Sequence, residues 1–233
     1  MYACLITPGI DSSLSYFYLR EKIAKGEDIK LIYIPISKKY SDIEIARVKL
    51  MEKYFERKVF IYPFNNSLSN EDKNAFIAGR NTLLARLVES SINERPLRIV
   101  FGFTADDRVY DSGKEFMDKL TSIQSSEVSC MAPAIDITKS RLVRWFFEEY
   151  NADFNKEDFS KLLYSCYEGK DGPCGCCKAC IRAATSLYPY VDIKLKESVL
   201  PQLKNLLEDH TISEERRRSI VNYVGSHFSN TLF

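Results

Sequence analysis

The chain has 233 residues, 45% of them hydrophobic and 28% charged, enough apolar material for the core of a globular domain. Thirty-three lysines and arginines stand against 32 aspartates and glutamates, and the formal charge of +1 excludes a global basic field for drawing in nucleic acid or anionic lipid. No apolar run reaches bilayer length, and the amino-terminal MYACLIT carries no basic segment and no cleavage signal, so a cytoplasmic protein is expected.

In chain order, Tyr2 to Thr7 reads as a strand, Pro8, Gly9, Asp11 and Ser12 as a loop, and Leu14 to Ile23 as a helix. The alternation recurs. Leu31 to Ile36 precedes an amphipathic Asp42 to Phe55, and Val59 to Phe64 precedes Asn81 to Ser91. Leu97 to Phe103 precedes Lys114 to Ile123, and Cys130 to Ile137 precedes a helix started by Thr138 and running through Tyr150. Strands separated by helix-length segments predict right-handed crossovers and an α/β fold, a doubly wound parallel five-stranded sheet of Rossmann-like type covered on both faces. After a polar stretch, Asn151 to Ser160, the alternation stops. Leu200 to Leu207 reads as a helix, and Thr211 with Glu214 as the capping box of a last helix through Val224.

Five of the seven cysteines crowd into one stretch: Cys166, Cys174, Cys176, Cys177 and Cys180. The spacing of Cys166, Cys174, Cys177 and Cys180 predicts four thiolates converging on one zinc ion, with Gly172, Pro173 and Gly175 allowing the sharp turns and a helix anchored near Arg182. Four thiolates also suit an iron–sulfur cluster. No open coordination position is supplied, so the expected metal is structural, and Cys176 has no ligand role.

Thr7, Gly9, Asp11, Ser12 and Ser13 lie where a doubly wound fold binds ligands, between the end of the first strand and the start of the first helix. The alternative is an ordinary turn with Asp11 or Ser12 as helix cap. His210 and His227 both fall in the helical tail, which gives a histidine-based triad with Ser12 or Cys4 no support. Arg216, Arg217 and Arg218 follow Glu214 and Glu215 and read as a solvated, self-paired helix face.

Four segments together carry a resemblance: TPGIDS at Thr7 to Ser12, FIAGRN at Phe76 to Asn81, APAIDITK at Ala132 to Lys139 and SCYEGKDGPCGCCKAC at Ser165 to Cys180. In order and rough spacing they resemble the PP-loop ATP-pyrophosphatase superfamily and, within it, the QueC-like 7-cyano-7-deazaguanine synthase family. Three departures stand out. Pro8 replaces the first loop glycine, Ser37, Lys38 and Lys39 stand where the family has QRH, and Arg141 stands where it has an acid after the threonine–lysine pair. Asp107, Tyr110 and Asp111 match a further family segment loosely.

The resemblance implies an adenine nucleotide alpha hydrolase type of fold, with a nucleotide-binding domain at 1–150 and a zinc-binding helical region at 151–233. It implies an ATP-dependent ligase that adenylates 7-carboxy-7-deazaguanine and uses ammonia to form the nitrile, with ATP, Mg²⁺ and structural Zn²⁺. Thr7, Gly9, Asp11, Ser12 and Ser13 would bind ATP, with Asp11, Ser12 and Lys139 catalytic and Asp11 holding magnesium or orienting the loop. Gly79, Arg80, Asn81 and Asp107 would bind the acid. Arg80 offers a planar fork and Asn81 a donor and acceptor together, against a reading of both as an exposed helix start. Lys139 could equally be a solvated surface lysine, and one of Asp106 and Asp107 simply solvated. The expected partners are small molecules, without membrane or direct nucleic-acid contact; a homodimer or a protein acceptor would be compatible. Two alternatives remain: an adenylating enzyme joining a deazapurine acid to another amine or to a protein, and a catalytically silent nucleotide- or deazapurine-binding module.

Overall fold

A computed structural model describes residues 1–37, 41–64, 77–107, 110–151, 159–160, 162–163, 165–168 and 172–228. Lys38, Lys39, Phe76 and most of the polar stretch before the cysteines lie outside the described residues. By contacts along the chain it divides into two units, Met1–Asp136 and Ile137–Phe233, with the helix that follows Thr138 in the second.

The first unit alternates β1 (Tyr2–Leu5), α1 (Ile10–Tyr18), β2 (Ile29–Tyr33), α2 (Ser41–Phe55), β3 (Val59–Ile61), α3 (Arg80–Ser91), β4 (Leu97–Val100), α4 (Lys114–Ser122) and β5 (Val128–Met131). The five strands form one parallel sheet in the order β3-β2-β1-β4-β5. All four residues of β1 are buried, as a strand covered on both faces requires. Ala3, Leu5, Ile32 and Ile99 pack with Ala85 and Val88 of α3 and Met117 and Leu120 of α4. Tyr16 and Phe17 of α1 form a separate aromatic cluster with Phe55 of α2. The chain runs outward from β1 to β3 and then returns to place β4 on the other side of β1. The sheet therefore reverses its strand order between β1 and β4, where such folds open a crevice at the carboxyl ends.

The apolar runs overshoot the strands at their carboxyl ends. Pro35, Pro63 and Pro133 have no N–H to continue a ladder, so Ile34, Phe64 and Ala134 leave the sheet and enter the loops. Helix α1 starts earlier than its apolar periodicity, at Ile10, and passes through a π turn at Leu19–Ile23 in which Ala24 N–H donates to Leu19 C=O at 2.8 Å.

The second unit holds α5 (Lys139–Trp145) with its π turn at Phe146–Tyr150, then α6 (Lys178–Leu187), α7 (Leu200–Glu208) and α8 (Glu214–His227). Thr138 caps α5 as expected, accepting from Arg141 N–H at 3.3 Å. Two boundaries differ from the sequence reading. Helix α6 begins at Lys178 rather than near Arg182, because Cys177 serves as its N-cap. Helix α8 is capped by Ser213, which accepts from Arg216 N–H at 3.2 Å, and not by Thr211. The Thr211 hydroxyl and N–H both donate instead to Asp209 Oδ1, at 2.6 and 2.8 Å. Ile181, Ala184, Leu203, Ile220, Tyr223 and Val224 form the core of this unit. Arg218 pairs with Glu214, and Arg217 turns back onto the carbonyls of Leu207 and Asp209. The arginine triplet is thus largely self-paired within its own helices. Among the described residues no helix is long and apolar enough to cross a membrane.

Candidate functional site

The loop from Thr7 to Ser13 joins β1 to α1 at the point where the strand order reverses. Its hydroxyls are spent on its own shape. Ser12 Oγ donates to Thr7 C=O at 2.9 Å and accepts Thr7 N–H at 3.0 Å. Ser13 Oγ donates to Gly9 C=O at 2.8 Å, and Gly9 N–H donates to Thr7 Oγ1 at 3.2 Å. Gly9 is the N-cap, with ordinary extended backbone and no side chain to offer, so Asp11 lies inside the first turn and is not the cap. What this loop could still offer an anion is the first-turn amides of α1 and the helix dipole. Pro8 is buried and lies before that turn, outside the set of donors.

A residue the sequence reading passed over holds this loop in place. Gly102 follows β4, and a Cβ on it would stand 2.4 Å from Ser12 Cα and 2.6 Å from Ser12 N. The two backbones meet only because no side chain separates them. Its sequence signal was a glycine inside an apolar strand run, which often marks close backbone approach.

A second group of predicted residues stands at the start of α3. Gly79 is its N-cap in the left-handed region, at φ 69°, and offers no side-chain cap. Arg80 is half-buried and makes no side-chain hydrogen bond or ion pair with a described residue. Asn81 is 2% exposed, and its Nδ2 donates to Asp111 C=O at 2.8 Å and to Asp111 Oδ2 at 3.0 Å. Both of its donors face inward, so the donor-and-acceptor role expected of it narrows to its Oδ1. Asp107 also works on its own loop, with Oδ2 accepting Thr104 N–H at 2.9 Å and Thr104 Oγ1 at 3.3 Å. Lys139, in the second unit, is the first residue of α5 and 4% exposed, which removes the solvated-lysine alternative.

The four cysteines Cys166, Cys174, Cys177 and Cys180 come together as the spacing predicted. Their sulfurs all lie within 4.8 Å of one another, and Cys174 Sγ is 3.8 Å from Cys180 Sγ. A tetrahedral ion with metal–sulfur bonds of about 2.3 Å places its sulfurs about 3.8 Å apart. An iron–sulfur cubane spreads its thiolates over separate irons and needs a wider set, so the geometry fits one ion. Backbone N–H groups already point at the sulfurs: Cys174 to Cys166 at 3.3 Å, Cys177 to Cys174 and Cys180 to Cys177 at 3.4 Å each. Burial alone would raise the Cys174 thiol, but N–H bonds from Cys176 and Cys177 and contacts with the thiols of Cys176 and Cys166 outweigh it and bring it down to about 6. Thiolate is the metal-binding form. Gly175 takes φ 71° in the turn, with its would-be Cβ 2.8 Å from Lys194 C=O, and its own carbonyl accepts Lys196 N–H at 2.9 Å. Cys176 lies outside the set, its thiol donating to Cys174 Sγ at 3.5 Å.

His227 is fully occupied, with Nε2 2.8 Å from Asp192 Oδ1 and Nδ1 2.9 Å from Tyr223 C=O. Among the described residues it joins no nucleophile.

Residues 19–190 match the family described as "Queuosine biosynthesis protein QueC", a span that begins after the Thr7–Ser13 loop and ends beyond the four cysteines. The chain is similar to a 7-cyano-7-deazaguanine synthase of Methanosphaera stadtmanae, 28% identical over 133 residues that cover 52% of this chain and 56% of the relative. It is also similar to a 7-cyano-7-deazaguanine synthase of Methanobrevibacter smithii, 25% identical over 126 residues that cover 51% of this chain and 52% of the relative. The chain thus spans about half the length of the curated relatives it matches. Among solved structures, a U34-tRNA thiolase NcsA from Methanococcus maripaludis with its [4Fe-4S] cluster aligns at TM-score 0.45 and 15% identity, over 95% of this chain and 70% of that one.

Proposed function

The chain belongs to the QueC family, and on that premise we propose that it is an ATP-dependent ligase converting 7-carboxy-7-deazaguanine and ammonia to 7-cyano-7-deazaguanine. The observation that carries the reading is the Thr7–Ser13 loop at the reversal of the sheet, seated by Gly102 and opening into a helix N-terminus. Such a place suits the phosphates of a nucleotide.

A carboxylate is a poor acyl donor. Its oxygen attacks the α-phosphorus of ATP and expels pyrophosphate, and ammonia then displaces AMP from the acyl carbon to give the amide. A second ATP activates the amide oxygen in the same way, and loss of AMP and protons leaves the nitrile. No side chain need act as nucleophile, so this chain's part is to position and to stabilise charge. The first-turn amides of α1 take the phosphate, and Asp11 orients the magnesium that travels with it. Arg80 takes the acid by charge-assisted bonds. Asn81 offers Oδ1 to the flat base, and Asp107 keeps the Thr104 turn in shape beside it. The four cysteines hold a structural zinc. The reactants are small molecules, and the reaction belongs in the cytoplasm.

ATP–pyrophosphate exchange with the acid tests the reading. Wild type is expected to exchange, Pro8→Gly to stay within about threefold of it because Pro8 removes no first-turn donor, and Asp11→Ala to fall about a hundredfold without loss of folding. Pro8 and the inward-turned hydroxyls of Ser12 and Ser13 favour a second reading, a silent binding module. Wild type without exchange, restored by Pro8→Gly, would establish it. An Asp11→Ala protein that melts lower and turns over normally would make Asp11 a structural residue only.

Arg80→Ala is expected to weaken the acid about tenfold or more and ATP little, since a lost charge-assisted bond is worth about 1.5–3 kcal/mol. Calorimetry with each ligand separately measures it, and unchanged affinity for the acid removes Arg80 from the site.

A further inference from the structure

We propose that Asp111 is a positioning residue that fixes Arg80 and Asn81 at the ligand crevice by clamping the first turn of α3 to the segment joining β4 and α4. The inference rests on the reading of this crevice as the place where the acid binds, and names what holds its specificity wall.

Asp111 is 4% exposed and Asn81 2% exposed, thirty positions apart in sequence, and the two donors of one amide are divided between the Asp111 carbonyl and carboxylate. Both partners accept only, which places nitrogen rather than oxygen on that side of the amide. Among the described residues no cation pairs with this carboxylate. A buried carboxylate held by a single neutral amide is an expensive way to stabilise a core, because desolvation of the charge is incompletely offset. Its value must lie in where it puts its partner.

That partner stands in a helix start that no side chain of its own caps. The N-cap Gly79 sits in a left-handed conformation and has no side chain, so the local fastening is backbone alone, Arg80 N–H to Ile77 C=O at 3.2 Å and Leu83 N–H to Gly79 C=O at 3.0 Å. The Asn81–Asp111 clamp supplies the missing constraint. Arg80 lies between Gly79 and Asn81, and any rotation of the first turn about the helix axis swings its guanidinium. Asp111 therefore acts through Asn81 on the residue that meets the acid, with no contact of its own to the nucleotide.

Steady-state kinetics of Asp111→Ala and Asp111→Asn, with amide hydrogen exchange on the same proteins, tests this. Asp111→Ala is expected to raise the KM for 7-carboxy-7-deazaguanine about tenfold while the KM for ATP stays within about twofold. Asp111→Asn keeps an acceptor for Asn81 and is expected to recover most of the loss. Exchange in Asp111→Ala should speed up at Asn81 to Ala85 and nowhere else. Equal rises in both KM values, no change in either, or an Asp111→Asn protein as poor as Asp111→Ala would overturn the proposal, the last by showing that the charge itself meets ligand. If wild type does not turn over the acid, the functional reading fails, and the clamp is judged by exchange alone: a local rise upholds it, and an unchanged or chain-wide rise overturns it. Should Asp111→Ala not fold, Asn81→Ala removes the clamp from the other side and, because Asn81 itself is assigned to the base, is judged by exchange alone: a local rise at the first turn of α3 upholds the proposal, and an unchanged or chain-wide rise overturns it.

Discussion

Cys177→Ser is expected to release the metal and melt the second unit at ordinary temperature, while Cys176→Ser keeps both metal and fold. Cys177 has two jobs, as one of the four converging sulfurs and as the N-cap of α6 accepting from Cys180 N–H at 3.4 Å. Serine is itself a good N-cap, so the substitution spares the cap and removes the ligand. A structural zinc contributes on the order of 10–16 kcal/mol of apparent folding free energy, as much as a whole domain's net stability of about 5–15 kcal/mol. The Cys176 thiol only donates to Cys174 Sγ, and its loss leaves four sulfurs in place. Elemental analysis and thermal melts of the two purified proteins decide the matter. Equal zinc content in both would sink the ligand assignment, and iron in place of zinc would overturn the single-ion fit.

Gly102→Ala is expected to disrupt the Thr7–Ser13 loop that we propose holds nucleotide phosphate. The new Cβ would lie 2.4 Å from Ser12 Cα and 2.6 Å from Ser12 N, and these are backbone atoms in the first turn of a packed helix. No flexible tip can swing aside. Either α1 moves away from β4, or the Thr7–Ser13 loop gives up the bonds by which Ser12 and Ser13 hold it. Overpacking of this kind costs about 1–3 kcal/mol of stability. The effect on function should be larger, about a hundredfold in pyrophosphate exchange, because donors displaced by an ångström no longer meet the phosphate. Gly113→Ala is the control: Gly113 precedes α4 with nothing within 4 Å of its would-be Cβ, and it should behave as wild type. Exchange and ATP titration of the pair provide the check. A Gly102→Ala protein that binds ATP normally would show that the contact is incidental.

The sheet was legible in the sequence because β1 is buried along its whole length and β2 nearly so, and burial on both faces writes itself as an unbroken apolar run. The alternation of those runs with helix-length segments already implied parallel pairing through crossovers. The four-cysteine cluster was legible for a related reason. Its ligands lie within one short stretch, so their spacing alone limits where the sulfurs can go, and the structure brings the same four together. The position of the loop between β1 and α1 followed from strand, turn and helix in succession.

Other features depended on residues far apart in the chain. Gly102 meets Ser12 only because β4 returns to the side of β1, and the closeness of their backbones has no trace in either local pattern beyond one glycine in a strand run. Asn81 read locally as a helix start able to show donor and acceptor to a ligand, and only the fold brings Asp111 to its amide and turns both donors inward. At the last helix two hydroxyl residues competed for one cap, and the nearby Asp209 settled it by taking Thr211 and leaving Ser213 to the helix. Sequence determines what a few neighbouring residues can do, since burial, turn chemistry and ligand spacing act over one or two turns of chain. Which of those capacities is used, and which is spent on another segment, is decided by long-range contacts that exist only once the sheet has assembled.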